Sequence, residues 1–426
     1  MATLQYDENG RLLFTEEMKK EYTILIPQML PVHFSMMRQI LESYGYKCET
    51  LSGDTQEIID TGLRYVHNDT CYPALLVIGQ LLSALNSGKY DKDKVALMIT
   101  QTGGGCRASN YIHLLRKALK KAGLEQVPVI SLNMSGLEKN PGFKLTIDIG
   151  IKFVYAMVYG DLIVMLSNQT RPYEKNPGET DKLADYWMHK LVKEFEKGVK
   201  ISKKAVIAKM DEICADFAKI PVGEKNKTRV GVVGEIYVKY SPLGNNNLEE
   251  FLAAEGCEVV VPGLMDFMIF KIYNREVDVE LYGGKWIKKF VCRVMKNYFE
   301  GYQQAMIDVI NKYPTFRAPG TFSHLEHLAM NYAGPGNKMG EGWLLTGEML
   351  ELIHDGVNNI VCTQPFGCLP NHIVGKGMIR AIKDDYPESN IVAIDYDPGA
   401  TKINQENRIK LMLANTGNMK QFVKPE

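Results

Sequence analysis

Apolar and polar positions follow two alternating rhythms along the chain. Short runs of aliphatic and β-branched residues at 22–27, 47–51, 95–100 and 127–132 have the nearly continuous apolar character of strands, strongest at 95–100, which reads as a buried parallel strand. Between them, 31–44, 74–85 and 109–121 place apolar residues at helical spacing. The same order restarts after residue 225, with strands at 229–238 and 257–262, a helix at 248–255, and strands again at 358–361 and 391–397. This alternation predicts an α/β fold: two doubly wound, Rossmann/flavodoxin-like domains joined by a helical connector. The boundaries fall at 1–145 for an N-terminal α/β domain, 146–225 for the connector and 226–426 for a second α/β domain. A long helical insertion at 266–311 and a Gly-rich stretch at 333–342 interrupt the second sheet.

Two parts of the connector test that picture. Residues 149–166 are apolar over about the length a bilayer requires, but they include Lys152, Gly160 and Asp161, so they read as a buried core helix followed by a short apolar run. Residues 181–219 alternate lysine and glutamate around apolar positions, as a solvated amphipathic helix pair does.

Charge adds little. Lysine plus arginine and aspartate plus glutamate are 50 each, which gives no field to attract nucleic acid or an anionic membrane. The first ten residues lack a basic stretch followed by an apolar one, so a cytoplasmic location is expected. In that compartment eight cysteines read as reduced thiols or metal ligands rather than a disulfide framework.

The cysteines divide by setting. Cys71, Cys106, Cys362 and Cys368 each fall on a turn just before a helical pattern, among Gly and Pro residues. In open parallel sheets such turns gather at the carboxyl edge, where ligands bind, and helix N-termini there favour thiolates. Thiolates are what iron–sulfur clusters and zinc require. The plain alternative is four ordinary buried cysteines. Cys48, Cys214, Cys257 and Cys292 lie inside strand or helix patterns and read as structural.

Weaker signals surround them. Gly103 to Ala108 fits a loose dinucleotide loop, but no acidic residue ends a strand about 20 residues on. His324 and His327 have helix-surface spacing and no evident third ligand for zinc. Arg107 and Arg171 could bind phosphate or carboxylate or form surface ion pairs, and Glu235, at the end of a strand beside Gly234, reads as a cleft carboxylate or a satisfied buried one. Glu174 and Glu341 sit in Gly/Pro contexts that suit loops lining a cleft.

Four segments together carry a resemblance: Asn68-Asp-Thr-Cys71-Tyr-Pro-Ala, Gln101-Thr-Gly-Gly-Gly-Cys106-Arg-Ala, Cys362-Thr-Gln-Pro-Phe-Gly-Cys368-Leu-Pro-Asn, and Asp395-Tyr-Asp-Pro-Gly-Ala. Over about 22–415 the chain resembles the dehydratase-like region of acyl-CoA dehydratase activase-related proteins. It is similar, more distantly, to 2-hydroxyacyl-CoA dehydratase subunits and double-cubane cluster proteins. The resemblance implies anaerobic metabolism and a [4Fe-4S] cluster or double cubane, with Cys71, Cys106 and Cys362 as ligands and Cys368 as a fourth ligand or near neighbour. It implies low-potential electron transfer from an ATP-dependent activase on a separate chain, an acyl-CoA substrate dehydrated through a ketyl radical, and assembly as a homodimer or with a related second subunit. The chain has no P-loop pattern, in keeping with nucleotide binding by that other chain. Four cysteine ligands would close the cluster to substrate, whereas the dehydratases leave one iron free. A non-catalytic α/β scaffold that docks an activase or holds a small ligand, and a zinc–thiolate protein, are the rival readings.

Overall fold

The computed structural model describes residues 2–53, 55–101, 104–133, 138–196 and 202–415. The protein is α/β, with 57% helix and two four-stranded parallel sheets. The first has the order β2-β1-β3-β4, with β1 at Thr23–Ile26, β2 at Lys47–Thr50, β3 at Val95–Thr100 and β4 at Val129–Leu132. The second repeats that order as β6-β5-β7-β8, with β5 at Arg229–Gly234, β6 at Glu258–Val260, β7 at Asn359–Pro365 and β8 at Asn390–Tyr396. Each sheet starts on an inner strand, steps outward, then crosses back to the other side. Strand order therefore reverses between β1 and β3 and between β5 and β7, which opens a crevice at their carboxyl ends.

The helix Tyr72–Asn86 is buried on every side, with 12 of its 15 residues hidden. A helix so uniformly apolar needs cover all round. One apolar core runs from Leu25 and Leu97 of the first sheet through this helix to Val232, Val361 and Ile394 of the second. On one flank the helix Thr55–Tyr65 approaches backbone to backbone: a Cβ on Gly79 would lie 2.2 Å from the Ile58 carbonyl oxygen, and one on Gly62 2.5 Å from that of Leu75.

The apolar stretch at 149–166 is part of a single helix, Ile147–Thr170, rather than a helix and a separate run. One helix in the described residues is thus long and apolar enough to cross a membrane, and most of it is buried inside the protein. Asp161 sits within it and is fully satisfied. Its Oδ1 accepts from His33 Nε2 and from the backbone N–H of Leu264, both at 2.9 Å, and its Oδ2 accepts from Met265 N–H at 2.8 Å. The carboxylate meets the positive end of the helix Leu264–Tyr282, which offsets the cost of burying it.

The amphipathic stretch at 181–219 forms the helices Glu179–Glu196 and Lys203–Phe217. Trp187, Leu191, Met210 and Phe217 on their inner faces join the largest core, so this segment is built into the body of the protein. The strand expected at 229–238 ends at Gly234, and a short helix, Ile236–Tyr240, starts two residues later. The insertion at 266–311 is a hairpin of two long helices, Leu264–Tyr282 and Trp286–Ile310, turned by Gly283 and Gly284, both at positive φ.

Candidate functional site

Three of the four motif cysteines come together; the fourth does not. Cys71 is the N-cap residue of Tyr72–Asn86, and Cys106 caps the short turn Arg107–Asn110 after β3. Cys368 lies in the tight turn that leaves β7, its N–H bonded to the Pro365 carbonyl at 3.2 Å. The β7 turn is laid against Cys71: the N–H of Tyr72 donates to the Phe366 carbonyl at 3.0 Å. Gly367, at φ +72°, passes so close that a Cβ there would lie 3.1 Å from Cys71 Cα. From the other side Gly340, at φ +59°, wedges between Pro370 and Cys106, where a Cβ would lie 2.8 Å from Pro370 Cγ and 3.8 Å from the Cys106 sulfur. The charge of Cys106 acts on both Cys71 and Cys368. The loops come from both halves of the chain, residues 71–106 and 340–368.

Cys362 occupies the middle of β7, paired with Val233 and Ala393 on the neighbouring strands, rather than the turn expected for it. It is fully buried in the apolar cluster of Met349, Leu352 and Ile360, and its Sγ lies 3.6 Å from Asn371 Oδ1. Alternation along the strand is the reason. Val361 faces the core shared by both sheets, so Cys362 faces the opposite layer. Its electrostatic neighbours are Glu348, Lys376 and Asp395, whereas Glu235 acts on each of the other three thiols.

Acidic and basic groups complete the crevice. Glu235 follows β5 and caps Ile236–Tyr240, with its Oε2 accepting from Val238 N–H at 2.9 Å. Glu341 reaches the same helix start, accepting from Ile236 N–H at 3.1 Å. Burial, helped by the charge of Glu341, pushes the Glu235 carboxyl up to about 8, so it keeps its proton at neutral pH. Lys271, from the helical hairpin, donates to the Gly340 carbonyl and faces Glu341 and Cys106; burial pulls its ammonium below the usual lysine range. The Tyr111 hydroxyl stands 2.8 Å from the Cys71 sulfur. Burial and the neighbouring Cys71 raise Tyr111 well above its ordinary value, which keeps it an O–H donor. Lys271 left no sequence signal, since it sits in an unremarkable helical pattern far from any cysteine motif; Tyr111 is only five residues past Cys106, at the start of the helix that follows its turn.

Burial is the largest influence on the thiols: it raises Cys71 to about 11 and also raises Cys106 and Cys368. A backbone dipole at a helix start offsets only part of the cost of removing a sulfur anion from water.

Arg107 stands at the crevice: its Nη1 donates to the Asp69 carbonyl at 2.6 Å, pinning the loop before Cys71, and would lie 3.3 Å from a Cβ on Gly367. The remaining candidates fall elsewhere. Arg171 is held by Asp181 at 2.8 Å and by Asn168 at 3.2 Å, on the rim of a separate cavity of about 500 Å³. Neither that cavity nor a second one of about 570 Å³ is lined by the three grouped thiols. Glu174 closes a local loop by accepting from Gly178 and Thr180 N–H. His324 and His327 lie on the helix Phe322–Met330. The dinucleotide-loop reading includes Gly103, outside the described residues. Cys48, Cys214, Cys257 and Cys292 are buried, each in or next to its strand or helix. Among the described residues, no group of three or more His, Cys, Asp or Glu is set closely enough to hold a single metal ion. A cubane spreads its ligands over several irons, so a wider ring of thiols suits it better than it suits zinc. Neither the protein-family models nor the curated proteins match this chain.

Proposed function

We propose that the protein is an iron–sulfur protein of the 2-hydroxyacyl-CoA dehydratase type, which receives low-potential electrons from an ATP-dependent activase on another chain. Each sheet with its helices is read as one doubly wound domain, and the crevice between their switch points as the working site. The observation that carries this reading is the grouping of Cys71, Cys106 and Cys368 from three loops beside a buried, protonated Glu235. These three thiols would hold a [4Fe-4S] cluster, with Cys362 set apart in the core. Such a cluster supplies one-electron chemistry and, with three cysteine ligands, keeps one iron free to act as a Lewis acid.

The protein's own groups have roles that suit an acyl-CoA substrate. Glu235 stands close enough to the thiols for their charges to interact, and its pKa near 8 suits general acid–base work at neutral pH. With Cys71 as a thiolate ligand, the Tyr111 hydroxyl 2.8 Å away would donate to its sulfur and stabilise the anionic form. Lys271 and Glu341 set the local charge where a leaving hydroxyl needs a proton.

The test is iron and acid-labile sulfide content after anaerobic purification, on the wild type and on four single alanine variants. Cys71→Ala, Cys106→Ala and Cys368→Ala should each lose most of the iron, while Cys362→Ala should keep it. Full iron in the first three, or zinc in its place in the wild type, refutes the proposal; in the latter case the zinc–thiolate reading replaces it.

A further inference from the structure

The hairpin of two long helices carries an apolar face that none of the described residues covers. On Trp286–Ile310 the inner side packs home through Cys292, Phe299 and Tyr302. One i, i+4 row, Trp286, Phe290, Val294 and Tyr298, and the row beside it, Ile287 and Val291, stand in solvent instead, with Trp286 at 72% and Phe290 at 58% exposure. Leu281 and Tyr282 carry the face back across the turn. At roughly 150–250 Å² per aromatic residue these side chains show on the order of 900 Å² of apolar surface, against about 300–600 Å² for the largest patch on a typical monomer.

The charge around this ridge has one sign. Residues 285–299 include Lys285, Lys288, Lys289, Arg293 and Lys296 and no carboxylate. Helical spacing puts them in the rows that border the ridge: Lys289 and Arg293 on one side, Lys288 and Lys296 on the other, with Lys285 at the N-cap. Glu280, Glu276 and Glu300 answer Lys289, Arg293 and Lys296 from within the chain. Lys285 and Lys288 are exposed and have no ion-pair partner among the described residues; they flank Trp286 at the tip of the hairpin. The balance of 50 cationic and 50 anionic residues over the whole chain conceals this local excess.

We infer that the hairpin tip docks on an anionic phospholipid surface. The first half of the helix Trp286–Ile310 would lie in the interfacial plane, its ridge turned to the acyl chains and Lys285 and Lys288 at the phosphates. A basic helix with Trp and Phe along its apolar side has the composition that binds there. Tyr and Trp suit the headgroup layer, and Tyr282 and Trp286 stand together at the tip. A second copy fits the ridge less well, because it would present the same stretch without acids and bring unpaired lysines together. The hairpin is tied to the loop beside Cys106, through Lys338 with Asp278 and Lys271 with the Gly340 carbonyl, so docking would fix the direction in which the crevice faces. The inference stands independently of any cluster.

The test is co-sedimentation of the full chain with vesicles of phosphatidylcholine alone and of phosphatidylcholine with about 30% phosphatidylserine. The wild type should bind the anionic vesicles and come off them as salt rises to about 0.5 M. Of the three tryptophans, Trp187 and Trp343 are fully buried, so a blue shift of emission on adding vesicles reports Trp286 entering the interface. Lys285→Ala with Lys288→Ala should weaken binding to anionic vesicles about 20-fold. Trp286→Ser with Phe290→Ser should weaken it at least about 100-fold. Both variants should keep the native circular dichroism, since the replaced side chains are exposed. A wild type that stays in the supernatant with both vesicle types, that binds them equally, or that binds as well after either paired substitution overturns the inference. So does a chain that sediments as a dimer without vesicles and as a monomer after Trp286→Ser with Phe290→Ser, an outcome that assigns the ridge to a second copy.

Discussion

Lys239 and Glu348 form an ion pair at 2.8 Å with both side chains almost fully buried, 3% and 1% exposed. Lys239 lies on the helix that Glu235 caps, and Glu348 on Leu344–His354, just after Glu341. The pair therefore clamps together the two segments that bring acid groups to the crevice. At this distance the attraction is about 6 kcal/mol at an effective dielectric near 20. Removing two ions from water costs several kcal/mol each, so the net contribution of the intact pair is near zero. Breaking it is another matter. Lys239→Met leaves a buried carboxylate without its cation and should destabilise the protein by roughly 3–5 kcal/mol. Lys239→Met combined with Glu348→Leu should recover most of that loss. Urea unfolding followed by the fluorescence of Trp343, the buried N-cap of Leu344–His354, reads both the global change and the local clamp. A Lys239→Met variant within about 1 kcal/mol of wild type, or a double variant no better than the single, would refute the reasoning.

Three other outcomes are expected. Because burial raises Glu235 from 4.5 to about 8, the native state holds a proton that the unfolded chain has released. The associated stability is complete below about pH 4.5 and lost as pH climbs through about 8, on the order of 4 kcal/mol between pH 5 and 8; Glu235→Gln should flatten that slope in urea titrations, and parallel slopes would disprove the assignment. Gly367→Val should lower iron content and cost roughly 1–3 kcal/mol, since it forces a β-branched residue to φ +72° against Cys71 Cα. Gly88→Ala, also at positive φ but with nothing within 4 Å, should cost about 1 kcal/mol and leave iron unchanged, which separates backbone strain from damage to the crevice. Alkylation of the metal-free protein should speed up as pH rises toward 11, because the buried thiols stay neutral at pH 8; fast labelling of Cys71 at pH 7 would contradict this.

Much of the architecture was readable from local pattern. The runs at 22–27, 95–100 and 127–132 appear as β1, β3 and β4, and the helical spacing at 31–44 and 109–121 appears as Pro31–Ser43 and Tyr111–Lys121. Periodicity reports which side of an element meets other protein, and these elements are long enough to show it. Glu235, Cys71, Cys106 and Cys368 were singled out for a related reason: Gly, Pro and capping residues mark strand-to-helix turns, and parallel sheets place such turns at one edge.

Where local pattern misled, long-range contacts had set the outcome. Cys362 and Cys368 are six residues apart and look equivalent, but β7 runs on to Pro365 because its register with β5 and β8 continues that far. That extension carries Cys362 into the core and leaves the turn to Cys368. A helix start is visible in the chain, whereas the burial that raises these thiols depends on what folds over it. Lys271 and Glu341 come to Cys106 from distant segments, and no spacing rule links them to the thiols. Local composition sets which elements form and which residues suit chemistry; the tertiary packing that joins the two sheets through one shared core sets which of those residues share a site and what charge they carry there.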